Sequence, residues 1–89
     1  MNQLEESRQK IDAVDAQLVK LFEERFEAVR GVLEYKIANN MPVLDSSREK
    51  AIVEKNTVRL EHEELKPYFE KWYQAMLDVS KEYQKDHMK

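Results

Sequence analysis

Arg8, Arg25 and Lys36 interrupt or flank an otherwise apolar stripe in the N-terminal part of the chain. Two further polar residues, Ser80 and Gln84, stand one helical turn apart in a C-terminal stretch whose other stripe positions are apolar. Between them, Arg48 and Glu49 follow closely on Asp45. Burying an unpaired charge is costly. Each group must therefore be paired within the protein, stand exposed at a helix end, or solvate a polar ligand. Arg8, Arg25 and Lys36, taken with an amide, a hydroxyl and a carboxylate, suit a small dianion that also carries a hydroxyl. Taken one at a time, each residue has a simpler account. A lone arginine can snorkel from a stripe edge, Ser80 can bond a carbonyl one turn back, Gln84 can lie exposed near a frayed end, and Arg48 and Glu49 can serve only to cap a helix.

Spacing adds to this. Arg25 and Lys36 are 11 residues apart, about three turns, so they share a helix face and lie roughly 16 Å apart along the axis. Long side chains could converge on one small molecule between them. Arg8 precedes Arg25 by 17 residues, roughly 25 Å of helix, too far to serve the same ligand in one subunit. Two antiparallel copies of the helix, related by a dimer axis, would bring Arg8 of one chain near Arg25 and Lys36 of the other. The expectation is a site shared between subunits.

The elements that must position these groups are legible in the pattern. The first segment runs from about Leu4 to Ile37. One stripe holds Leu4, Ile11, Leu18, Arg25 and Val32, and a second holds Ser7, Val14, Leu21, Ala28 and Tyr35. A third holds Arg8, Asp15, Phe22, Val29 and Lys36, and the three together mark an amphipathic helix. From Val19 onward Phe26 and Leu33 widen the apolar face, so the second half should meet more than one neighbour. Gly31 costs about 1 kcal/mol against alanine in a helix interior, too little to break so long a pattern. Asn39-Asn40-Met41-Pro42 ends the helix, because Pro42 disfavours helical geometry at Met41. Ser46-Ser47-Arg48-Glu49 reads as a capping box opening a second helix to about Leu60. Pro67, suited to a first turn, introduces a third helix to about Lys85. Its stripe is Phe69, Trp72, Tyr73, Met76 and Leu77, continued by Ser80, Tyr83 and Gln84.

Composition agrees with an all-α fold of one very long and two shorter helices. One glycine and two prolines in 89 residues leave little turn chemistry. The whole chain, residues 1–89, reads as one domain. The formal charge of −3 argues against nucleic acid as a partner. With no cysteine there is neither disulfide nor Cys-based metal site, and no metal or cofactor is expected. No stretch approaches a membrane span and the start lacks a signal-peptide pattern, so a cytoplasmic protein without membrane contact is expected. A 34-residue helix is about 50 Å long, whereas a compact chain of this length has a radius of gyration near 12 Å. One end of the long helix therefore needs a second copy to cover it, most economically through a two-fold axis. Periodicity alone does not exclude a non-catalytic helical dimerisation module.

From Ile11-Asp12-Ala13-Val14-Asp15-Ala16-Gln17-Leu18 through Glu24-Arg25, Tyr35-Lys36, Pro42-Val43-Leu44-Asp45 and Arg48-Glu49, the chain closely resembles the all-helical chorismate mutases. Its Ser80-Lys81-Glu82-Tyr83-Gln84 ending resembles the stand-alone bacterial members. The resemblance spans Leu4 to Gln84. It implies an intertwined homodimer with two sites, and an isomerase that converts chorismate to prephenate in phenylalanine and tyrosine biosynthesis. By resemblance, Arg8 is donated from the other subunit to a substrate carboxylate, and Arg25 is the main carboxylate-binding arginine. Lys36 contacts the ether oxygen and a neighbouring carboxylate, and Arg48 supports the charge network. Glu49 and the Asp45 region receive the ring hydroxyl. Ser80 places a hydroxyl at a carboxylate, and Gln84 an amide at the ether oxygen. Two departures stand out: Leu44 where some members have a basic residue, and Lys81 where an apolar wall residue is common. His62 and His87 lie in polar stretches and are not expected to take part. An isochorismate-pyruvate lyase of the same fold is the nearest rival, but the family pattern gives such lyases an apolar residue where Glu49 stands. A member that needs an activating partner enzyme is a further alternative.

Overall fold

The computed structural model describes residues 2–88. Three α-helices follow one another: α1 over Gln3–Ala38, α2 over Ser46–Thr57 and α3 over Lys66–His87, with a 3-10 turn at Glu63–Leu65 before α3. No strand occurs among the described residues, so the chain is all-α.

The 36 residues of α1 at 1.5 Å each account for the molecule's longest dimension, 55 Å against 25 and 16 Å. The radius of gyration is 16.4 Å, well beyond the ~12 Å of a compact chain of this length. Helix α3 is the hub, packing against both α1 and α2. Its buried face consists of Tyr73, Leu77, Ser80 and Gln84, and α1 contributes Val29 and Leu33 from its second half. Phe26 meets Tyr83 edge-on, with ring centroids 5.3 Å apart. Asn56 Nδ2 donates to the Tyr73 hydroxyl at 3.0 Å, tying α2 to α3. Among the described residues Tyr73, Leu77, Val29 and Leu33 make up the buried apolar core, while Leu4, Ile11, Val14, Leu18, Leu21 and Phe22 of α1 are exposed. Within one chain, then, the second half of α1 has a neighbour and the first half of its apolar stripe has none.

The breaks fall where the sequence puts them, with differences of detail. Asn39 caps α1 and Asn40 takes the left-handed conformation, φ 53°. Met41 N–H then bonds Lys36 C=O at 2.9 Å and Asn40 N–H bonds Ile37 C=O at 3.4 Å. This closing motif normally takes glycine, and asparagine is the usual substitute. At α2 the expected cap moves by one residue. Asp45, not Ser46, is the N-cap, accepting from Arg48 N–H at 3.1 Å. A carboxylate caps at least as well as a hydroxyl, and the shift leaves Glu49 one position too late to close a capping box. Helix α2 ends at Thr57, short of Leu60, because Arg59 and Leu60 bond the carbonyls of Asn56 and Thr57 in tighter i to i+3 turns. Helix α3 begins one residue before Pro67. Trp72, expected on the buried stripe, is 54% exposed: it lies beyond the face that α1 and α2 cover.

Candidate active site

Where α1, α2 and α3 converge, a cavity of about 160 Å³ opens. Its lining includes Arg25 and Lys36 from α1, Asp45, Arg48 and Glu49 from the start of α2, and Ser80 and Gln84 from α3. Seven of the eight residues singled out from the sequence are thus gathered, across up to 59 positions of chain from Arg25 to Gln84. The eighth, Arg8, is exposed on the first half of α1 and does not line this cavity. That agrees with the roughly 25 Å of helix between it and Arg25.

Each α1 cation is held by another segment. Arg25 Nη1 donates to Ser80 Oγ at 2.8 Å. The same hydroxyl donates to Met76 C=O at 3.1 Å, so Ser80 does bond one turn back, and its remaining capacity fixes the guanidinium. Lys36 Nζ donates to Val43 C=O at 2.9 Å and to Gln84 Oε1 at 3.4 Å. The first of these bonds follows from the reversal at Asn39-Asn40, which folds Pro42-Val43 back over the last turn of α1. Gln84 is buried, 7% exposed, so it is no frayed-end residue. Its Nε2 reaches Ser80 C=O at 3.4 Å. Both Gln84 contacts are at the long end for hydrogen bonds, so a better acceptor could displace them at little cost.

Asp45 has two duties. It lines the cavity while capping α2, and the Arg48 N–H above all, with the Ser47 hydroxyl second, holds its carboxyl below the usual range. It is therefore a fixed anion at neutral pH. Glu49 Oε1 accepts from Lys81 Nζ at 3.1 Å and from Gln74 Nε2 at 3.2 Å. Arg48 lines the cavity from an exposed position. Apolar walls come from Val29, Val32, Ile52 and Leu77. Counting Lys81, which also lines it, the cavity carries four cations and two carboxylates, an excess of two positive charges that suits a dianion. A larger, open groove of about 620 Å³ between α1 and α3 has the opposite character. Glu23, Glu27, Glu82 and Asp86 line it against Arg30, which disfavours an anion. His87 is stacked on Tyr83, outside the cavity lining, and the described residues hold no cluster of His, Cys, Asp and Glu that could bind a metal ion.

Residues 7–85 match the family model described as chorismate mutase type II. The chain belongs to that family. The match takes in α1 from its second turn, all of α2, and α3 to just beyond Gln84, so every cavity-lining residue lies inside the family domain. Comparison with curated proteins and with solved structures returned no match. No helix among the described residues is long and apolar enough to cross a membrane.

Three contributors were missed in the sequence. The Val43 carbonyl is a backbone group and leaves no side-chain signature. Gln74 looks like an ordinary exposed residue of α3. Lys81 was visible only as a departure from the family pattern, and its contacts follow from the way α2 and α3 pack.

Proposed function

We propose that the chain is a chorismate mutase that rearranges chorismate to prephenate, as a homodimer whose sites are completed by Arg8 of a second copy. The observation that carries this reading is the convergence of Arg25, Lys36, Arg48, Ser80 and Gln84 on one cavity, inside a domain of the chorismate mutase family. A concerted Claisen rearrangement asks for no nucleophile and no proton transfer. It asks that a flexible dianion be held in a compact, chair-like shape, and that charge gathering on the ether oxygen be stabilised as the C–O bond breaks.

The side chains present can do both. Arg25, braced by Ser80, offers a planar pair of donors to one carboxylate. Lys36, anchored on Val43 C=O, and Gln84, held only by long bonds, stand 3.4 Å apart and can both address the ether oxygen. A donor fixed before the reaction, as Lys36 is by Val43 C=O, stabilises developing charge without reorganising, which is a large source of rate enhancement. Glu49 and Asp45 are acceptors for the ring hydroxyl.

Two further observations support the dimer. The first half of the α1 stripe is apolar and exposed, a large patch for a soluble protein. The cavity, at about 160 Å³, is smaller than the ~300 Å³ at which small-molecule sites usually begin, as a pocket with a wall missing would be.

The test is to incubate the purified chain separately with chorismate and isochorismate and to identify the products. Prephenate from chorismate is expected. Salicylate and pyruvate from isochorismate, with chorismate untouched, would assign the lyase reaction instead, and turnover of neither would leave a helical dimerisation module. Activity that emerges only on adding a second enzyme would identify a member dependent on an activating partner. Cytoplasmic location and a role in phenylalanine and tyrosine supply follow from the same reading.

A further inference from the structure

Lys81 lines the cavity from α3, between Ser80 and Gln84, where an apolar wall residue is common among chorismate mutases. It is not a loose cation. Its Nζ donates to Glu49 Oε1 at 3.1 Å and to Asp78 Oδ1 at 3.3 Å. Gln74, two turns earlier on α3, reaches the same two atoms: Nε2 donates to Glu49 Oε1 at 3.2 Å and to Asp78 Oδ1 at 3.1 Å. The four side chains close a ring that joins the first turn of α2 to α3. Asp78 is outside the cavity lining and balances Lys81, so the lysine is engaged from both sides. The Glu49 and Lys81 side chains are only 19% and 25% exposed. Their pairing is therefore screened less than that of a fully exposed surface pair.

Both donors engage the same carboxylate oxygen of Glu49. We propose that Lys81 and Gln74 are positioning residues for Glu49, fixing Oε1 so that the carboxylate stands ready to take the ligand's hydroxyl on Oε2. This rests on the chorismate mutase reading, in which Glu49 is the hydroxyl acceptor. A glutamate free to turn about its side-chain torsions loses that freedom when it binds. Holding it beforehand removes the cost from the binding step. The hydroxyl takes no part in bond breaking, so its contact is made equally in ground and transition states. Its loss should appear in KM and leave kcat unchanged.

The experiment is a double-mutant cycle in steady-state kinetics with chorismate. Lys81→Met is expected to raise KM by about tenfold, the scale of one hydrogen bond to a charged group, with kcat within about twofold of the unaltered chain. Lys81→Arg should restore most of the loss. In a Glu49→Ala background, Lys81→Met should change KM little, because its effect passes through Glu49. An equal rise of KM in that background would overturn the proposal, since Lys81 would then be attracting the dianion on its own account. A fall in kcat at constant KM would overturn it too, because loss of folded enzyme gives that pattern. If Lys81→Met does not fold, Gln74→Met, which removes the other donor to Oε1 from an exposed position, carries the same test. Failure of the unaltered chain to turn over chorismate is a separate outcome: it sinks the function, whereas additivity in an active enzyme sinks only the positioning.

Discussion

Arg25 and Ser80, 55 residues apart in the chain, are joined by a 2.8 Å hydrogen bond from the guanidinium Nη1 to the serine hydroxyl. Ser80 is 4% exposed, and its own proton goes to Met76 C=O. The arginine is thus aimed by a group that cannot easily turn away. A guanidinium brought part-way out of water needs such a partner, and its remaining donors need another, which a substrate carboxylate would supply.

Arg25→Ala and Lys36→Ala should therefore each lower kcat/KM for chorismate by about 10²- to 10³-fold, the usual cost of removing a charged contact or a preorganised donor from a closed site. Helicity and subunit association, followed by circular dichroism and sedimentation, should stay unchanged, since neither residue belongs to the buried apolar core. A variant that loses helix and activity together would show that the side chain holds the fold and does not act on the ligand.

How far the sequence reaches is clear from particular residues. The three helices follow from periodicity and from Pro42 and Pro67, because burial of one face and the stiffness of proline act locally. The cavity residues were legible because polar groups on an apolar stripe need a reason, and spacing could test whether they share one. What stayed hidden turns on a close local competition or on packing between helices. The cap at Asp45 wins over Ser46 by a competition between two good caps. Trp72 is left out because α3 rotates its stripe toward Ser80 and Gln84. The ring of Gln74, Asp78, Lys81 and Glu49 needs the register of α2 on α3, which no single-helix pattern contains.

Gln84→Glu should convert the pH profile. The amide donates at all pH values, whereas a glutamate donates only while protonated. The variant should be active at low pH and lose activity as pH rises through the carboxyl pKa, ordinarily about 4.3. Measured between pH 4.5 and 8, kcat/KM of the variant should fall by about tenfold or more where the unaltered chain changes little. Undiminished activity of the variant at pH 8 would contradict a donor role for residue 84.

Asp45 gives a stability prediction whose sign follows from its capping bonds. Its carboxyl is held below the usual range, chiefly by the Arg48 N–H. Its stabilising contribution is therefore complete above the ordinary aspartate value of about 3.9 and disappears as pH falls through the lowered one. Urea midpoints should drop as pH is taken below about 4, and the drop should be smaller in Asp45→Asn, which keeps an acceptor for the cap but has no charge to lose. Equal slopes for the two proteins would place the acid sensitivity in other carboxylates.

The gathering of cations from two copies of one long helix is tested most directly by mixing inactive chains. Arg8→Ala and Arg25→Ala are each expected to abolish most activity on their own. When the two are unfolded together and refolded, half of the dimers should be heterodimers, and one of the two sites in each would be intact. Chorismate turnover should then recover to about a quarter of the unaltered level, following from one complete site in four at random pairing. Verified heterodimers with no recovery, or an Arg8→Ala chain that is fully active by itself, would contradict a site shared between subunits.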